Sequence, residues 1–426
     1  MVPPPETVAY SGPFFKIPFE IKSKIFGHCI ESSEPDSKSA PSCWVRSADS
    51  GGSSHEVAPS RYTSLLELLR IWLTRSATRP LNLALHYQGI RIRPTPAPIH
   101  FLLLQHSHRW EHVILCLPYS DLVELFEKCT GSLPLLRALA ITLPHYEPVL
   151  PPLSFEVLRH SSLLQTLEMS LNCVQPLLSG VPWTQLTSFN GHHLPAYNAL
   201  DVLRNSPALR ECRMKIIQSD KPYAALHLPE LRVFHVDAIW ISDAFAFLAR
   251  LTLPGLQRLQ CPRVDNHSVT HILAFLSRSL CPLTHFSTVS KGHGGGSLEG
   301  EESFVDLFTA LPHLVEMKLD VGLSTPNFVA SLLRSHYLPQ LTRLKIWARQ
   351  VMDYEVFVNM LESRTGTNVQ GTAELRSFAW SYEHPFYGSG APSGSLSPEL
   401  VERMKVLIRR GIEMELNDSA FNTILR

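Results

Sequence analysis

"LPELRVFHV", residues 228–236, sets a Leu-Pro pair before a leucine and then an alternation of polar and apolar residues. The wording returns as "LPGLQRLQC" from Leu253, "LPHLVEMKL" from Leu311 and "LPQLTRLKI" from Leu338. Alternation with period two marks a strand with one buried face. A proline just ahead of it has no ladder hydrogen bond to lose. With the leucine after Leu-Pro as anchor, the pattern anchor-x-x-apolar-x-apolar recurs as Leu136/Leu139/Ile141, Leu164/Leu167/Met169, Leu209/Cys212/Met214 and Leu231/Phe234/Val236. It continues as Leu256/Leu259/Cys261, Leu314/Met317/Leu319, Leu341/Leu344/Ile346 and Leu375/Phe378/Trp380, with shorter members Leu186/Phe189 and Leu283/Phe286. The anchors, from Leu136 to Leu375, step by 22 to 34 residues.

Between anchors the apolar residues take the helical period. Leu122, Leu125, Phe126 and Cys129 share one face, and Val269, Ile272, Leu273, Leu276 and Leu280 form a second stripe. Thr325-Pro326 and Asp353 read as helix starts. Further strands are expected at Pro80–Tyr87 and Trp110–Leu117, and the chain ends in a helix from about Ser397, a Gly411 cap and a strand at Ile412–Leu416. A strand and helix this short cannot bury their faces alone, so neighbouring units must stack, with strands lining the concave side of a curved solenoid. Each anchor buried by stacking contributes about 1.5–3 kcal/mol.

The spacing overlaps that of leucine-rich repeats, and the chain resembles that family. The resemblance implies an α/β fold: a leucine-rich-repeat solenoid, that is, a curved parallel sheet with outer helices, over residues 61–416, followed by a tail at 417–426. The asparagine usual just past each strand is present only as Asn172, so an irregular solenoid is expected. On the concave face the residues between each apolar pair make a polar ladder suited to binding a protein client. It includes Glu168, and the members expected to bind the client are Glu211 and Arg213, His235, Arg258, His285, Glu316 and Lys318, and Arg343 and Lys345, with a mild basic lean toward the second half.

"FFKIPFEIKSKIFGHCI", residues 14–30, is a different signal after the irregular residues 1–13: Ile17-Pro18 leads into a helix whose Ile21, Ile25 and Phe26 share a face. This resembles the opening helix of an F-box, and together with "LLRIWLTRSATRPLNLALHY" (68–87), "SHRWEHVILCLP" (107–118) and the "GIEMEL" ending it resembles fungal F-box proteins with irregular leucine-rich repeats. The resemblance implies that Ile17, Pro18, Ile21, Ile25 and Phe26 dock a Skp-type adaptor of a cullin ubiquitin ligase. Residues 31–60 are serine-rich and without apolar periodicity, with Cys43-Trp44 the one hint of the module's second half, so a partial F-box followed by a disordered insertion is expected.

Composition narrows the rest. Lys+Arg and Asp+Glu stand at 38 each, so no global field favours nucleic acid or an anionic membrane. No C-x-x-C pair occurs among the 8 cysteines, and no run is apolar enough to span a bilayer, so a reducing, cytoplasmic or nuclear setting is expected. "GHGGGSLEGEE" (292–302) has the look of an oxyanion turn around His293, but the chain holds no G-x-S-x-G elbow to supply a nucleophile. His106, His108 and His112 lack a fourth ligand in a suitable pattern. No enzyme activity, metal or cofactor is expected, and the anticipated role is a non-catalytic recognition subunit.

Overall fold

The computed structural model describes residues 42–47, 59–87, 97–129, 131–143, 154–170, 179–217, 224–238, 240–262, 266–289, 302–322, 329–330, 333–334, 337–348, 353–365, 372–382 and 397–417. The F-box-like segment with Ile17, Pro18, Ile21, Ile25 and Phe26 lies outside them, as do Thr325-Pro326 and His293. The chain divides into two compact units, residues 1–171 with 177–182, and 172–176 with 183–426.

In the first unit, strands β1 (Ser42–Ser47), β2 (Leu81–Tyr87), β3 (Trp110–Cys116), β4 (Ala138–Thr142) and β5 (Thr166–Ser170) pair in chain order, each parallel to the next. Helices α1 (Pro59–Arg75), α2 (Ala97–Leu104) and α3 (Tyr119–Lys128) fill the three crossovers from β1 to β4. Leu122 and Leu125 of α3 are buried as their spacing requires. Two described segments fall within the serine-rich stretch 31–60: β1, and the first residues of α1. The strand is built on Cys43, Trp44 and Val45, the stretch's own strand-forming residues, which pair on one side with Leu83, Ala84 and Leu85.

The second unit carries β6 (Ser188–Pro195), β7 (Glu211–Ile217), β8 (Leu226–His227), β9 (Val233–Ala238), β10 (Leu251–Thr252), β11 (Arg258–Pro262), β12 (His285–Val289), β13 (Glu316–Gly322), β14 (Arg343–Ala348), β15 (Ser377–Tyr382) and β16 (Glu413–Asn417). All but β8 and β10 form one ladder, again parallel and in chain order. The short strands β8 and β10 pair with each other apart from it. Helices α4 (Ala196–Asn205), α5 (Ile241–Leu248), α6 (Asn266–Ser279), α7 (Glu302–Thr309), α8 (Tyr354–Ser363) and α9 (Pro398–Arg409) lie between strands. Asp353 caps α8 by accepting from the Glu355 and Val356 amides at 3.0 and 3.4 Å, and Ser397 caps α9 through the Leu400 amide at 3.2 Å. Gly411, at φ 99°, ends α9 where a side chain would be strained.

Anchors from Leu136 to Leu375 are buried, none more than 3 % exposed. Their turns explain why the wording repeats. The amides of Leu256, Leu314 and Leu341 each close a turn on the leucine of the preceding Leu-Pro, at 3.2, 3.2 and 3.1 Å. In the second unit the carbonyl just after each anchor from Leu186 to Leu341 then receives two amides from the following repeat. Arg232 accepts from Gln257 and Arg258 (2.9 and 3.0 Å), Gln257 from Thr284 and His285 (2.9 and 3.0 Å), and Thr284 from Val315 and Glu316 (2.8 and 3.0 Å). The turns from Leu209 to Leu375 therefore each rest on main-chain atoms of the turn before, and a common sequence is what reproduces that joint.

A second device is less visible in the sequence. Two buried arginines, Arg109 and Arg364, and the exposed Arg278 donate to main-chain carbonyls at helix ends and turns. Arg364 donates from Nε to the Leu333 carbonyl at 2.8 Å, from Nη1 to Leu338 at 3.2 Å, and to Tyr337. Arg109 reaches the Arg79 carbonyl at 2.9 Å and Ser76 Oγ at 2.7 Å, while Arg278 donates to the carbonyls of Leu248 and Leu251, both at 3.2 Å. In each case the arginine bridges back about one unit along the chain.

Leu280 departs from expectation. The α6 stripe is carried by Val269, Ile272, Phe275 and Leu276, whereas Leu280 lies past the helix end at φ 47° and is 84 % exposed. Pro282 two residues on forbids continuation, so the chain turns off through a left-handed residue.

Candidate functional site

Burial alternates along the strands of the second unit. In β14, Leu344 and Ile346 are buried while Arg343 is exposed and Lys345 and Trp347 are half-buried, and the same phase holds in β13 for Met317 and Leu319 against Glu316 and Lys318. The polar members thus share the face opposite the helices' core. In-register pairing sets them in rows. Arg258 stands beside His285, His285 beside Glu316, and Glu316 beside Arg343. The next outward row runs Gln260, Ser287, Lys318 and Lys345. Glu211, Arg213 and His235 belong to the same ladder on β7 and β9, with His235 opposite both Arg213 and Gln260.

Glu316 is the hub. Its carboxylate meets Lys318 Nζ at 2.6 Å and an Arg343 Nη at 3.0 Å, and His285 Nε2 lies 3.7 Å away. Burial pushes its acidity down, but the Lys318 hydrogen bond and the charges of Lys318, Arg343 and His285 outweigh that and hold the carboxyl below its usual range. Lys318 and Lys345 stand side by side, a destabilising like-charge pair unless each finds its own partner. Lys318 turns to Glu316, and Lys345 sits 5.1 Å from the centre of the Trp347 ring and 3.9 Å from Glu415. Trp347 and Glu415 were not among the residues expected at this face. Both continue the same two-residue alternation, which is the signal that could have found them.

Burial, seconded by Arg213, lowers the His235 pKa to about 4, and burial with Arg258 lowers that of His285. Both rings are therefore neutral at pH 7. Because the folded His235 pKa lies below the ordinary value of 6.5, the unfolded chain binds the extra proton between about pH 6.5 and 4, and folding stability falls as pH drops through that window. His235→Gln is expected to flatten the decline in thermal midpoint over that range, measured by circular dichroism. An unchanged slope would show that other groups set it.

Other chemistry-bearing residues resolve into packing roles. Cys212 and Cys261 are buried inward strand residues whose thiols burial pushes far above the usual range, which disfavours the reactive thiolate. His106 lies against His108 with ring centres 6.5 Å apart, and His112 pairs through Nδ1 with Asn82 Oδ1 at 2.9 Å. Among the described residues no group of His, Cys, Asp and Glu could hold a metal ion, and no helix is long and apolar enough to cross a membrane. No family model and no curated protein matches the chain.

Proposed function

We propose that the chain is a non-catalytic recognition subunit: a leucine-rich-repeat solenoid that binds a protein client on its polar strand face, tethered by an F-box-like N-terminal segment to a Skp-type adaptor of a cullin ubiquitin ligase. The observation that supports the client half is the ladder of outward polar residues on successive parallel strands from Glu211 to Lys345. A stacked sheet presents such a face as a broad surface, and solenoids use it for protein recognition. Holding a client beside a ligase raises its effective concentration without any chemistry by this chain.

The adaptor half rests on the sequence resemblance over residues 14–30. Co-purification tests it: the wild-type chain is expected to retain a Skp-type adaptor, and Ile25→Asp/Phe26→Asp to lose it. Failure of the wild type to retain any adaptor would sink the ligase role. A second reading, a repeat scaffold without a ligase role, is favoured by one observation. Cys43-Trp44, which would belong to the second half of a three-helix F-box, lies in strand β1 paired with β2.

A further inference from the structure

The outward patch on β11 to β14 is not electrically balanced. In its two rows Arg258, Lys318, Arg343 and Lys345 face one carboxylate, Glu316, with Gln260, Ser287 and a neutral His285 completing them. Glu316 is shared by Lys318 and Arg343, and Arg258 and Arg343 are both exposed, so the patch keeps cationic capacity toward solvent. The acids that fence it, Asp320 and Glu415, sit at the next outward position of β13 and on β16.

We infer that this patch binds an extended acidic segment of a protein, lying across the strands and carrying two carboxylates about four residues apart, a length set by strand and chain spacing. The inference deepens the client-recognition reading and rests on it, but not on the ligase tether. Arg258 on β11 and Arg343 on β14 are three strand spacings apart, roughly 14 Å at about 4.8 Å per strand, and an extended chain rising about 3.4 Å per residue covers that in four residues. One carboxylate meets Arg258 and the other the Arg343 and Lys345 pair, where arginine offers a two-pronged donor. The middle of the segment crosses His285 and Glu316, so uncharged or donor side chains fit there. Glu316 also selects against a nucleic-acid strand, whose unbroken phosphates would have to pass over a carboxylate. Trp347, beside Lys345, offers an apolar surface at the far end.

Fluorescence anisotropy on the full chain tests this with a labelled nine-residue peptide holding two glutamates separated by three threonines. Saturable binding that weakens with salt is expected, with Arg258→Glu/Arg343→Glu weaker by about tenfold or more. Lys128→Glu/Arg159→Glu, an equal charge change in the first unit, should leave it unchanged. If the double charge swap fails to fold by circular dichroism, Arg343→Gln should still weaken binding several-fold. No binding by the wild type, or binding indifferent to both Arg343 variants, overturns the inference. So does equal binding of a peptide with its glutamates adjacent, or stronger binding of an oligothymidylate. Adaptor retention, measured on the same preparation, reports the ligase reading separately.

Discussion

Gly255→Val is expected to destabilise the second unit by about 3 kcal/mol or more and to lower its thermal midpoint by about 6–12 °C. A Cβ at Gly255 would sit 2.2 Å from the Pro229 carbonyl oxygen and 3.3 Å from its carbon, and neither atom can swing away as a side-chain tip could. The two residues belong to consecutive Leu-Pro turns, one place apart: Pro229 is the proline of its turn, and Gly255 follows the proline of the next. The approach is tight because β8 and β10 pair just ahead of those turns, with Leu228 donating to the Thr252 carbonyl at 3.0 Å. Valine would have to part these turns, or pull Leu256 from its fully buried position. His313→Val supplies the contrast: it follows Leu311-Pro312 in the same wording, but its side chain is exposed, so little change is expected. A Gly255→Val midpoint within about 2 °C of wild type would show that the turns separate freely.

Arg364→Leu should cost on the order of 3 kcal/mol, because the Leu333 and Tyr337 carbonyls lose the arginine's hydrogen bonds and Leu338 keeps only its Leu341 amide, while the volume is roughly kept. Arg364 is 4 % exposed, and burial lowers the pKa of its guanidinium. One of its acceptors belongs to Leu338, which is held at φ 52°, a conformation that leucine adopts rarely. The arginine therefore supports a strained turn as well as a helix end. Arg364→Lys is expected to recover less than half of the loss, since an ammonium cannot reproduce a planar fork aimed at three separate carbonyls. Equilibrium urea unfolding followed by tryptophan fluorescence reads both variants, and full recovery by lysine would reduce the role to charge.

Most of the ladder could be read in the sequence because it depends on hydrophobic period and on turn wording, which are local. Leu231, Leu256, Leu314 and Leu341 were identifiable as anchors from spacing alone, and Asp353 as a cap from its position before Tyr354. Leu280 was misassigned because a helical stripe extends on paper past the residue where Pro282 stops the helix. The arginines at 109, 278 and 364 gave no signal, since an arginine that bonds a distant carbonyl is spelled like one that reaches only water. At the polar face the residue types were legible but not the arrangement. That Glu316 serves Lys318 and Arg343 together follows from pairing between strands far apart in sequence, which no single unit encodes.

The paired amides received by Arg232, Gln257 and Thr284 bear on how such a chain can change over generations. The joint is made of peptide groups, so whichever unit arrives next finds the same socket whatever its side chains. Whole units can be duplicated, deleted or exchanged without redesigning the seam, while the outward residues drift toward new partners.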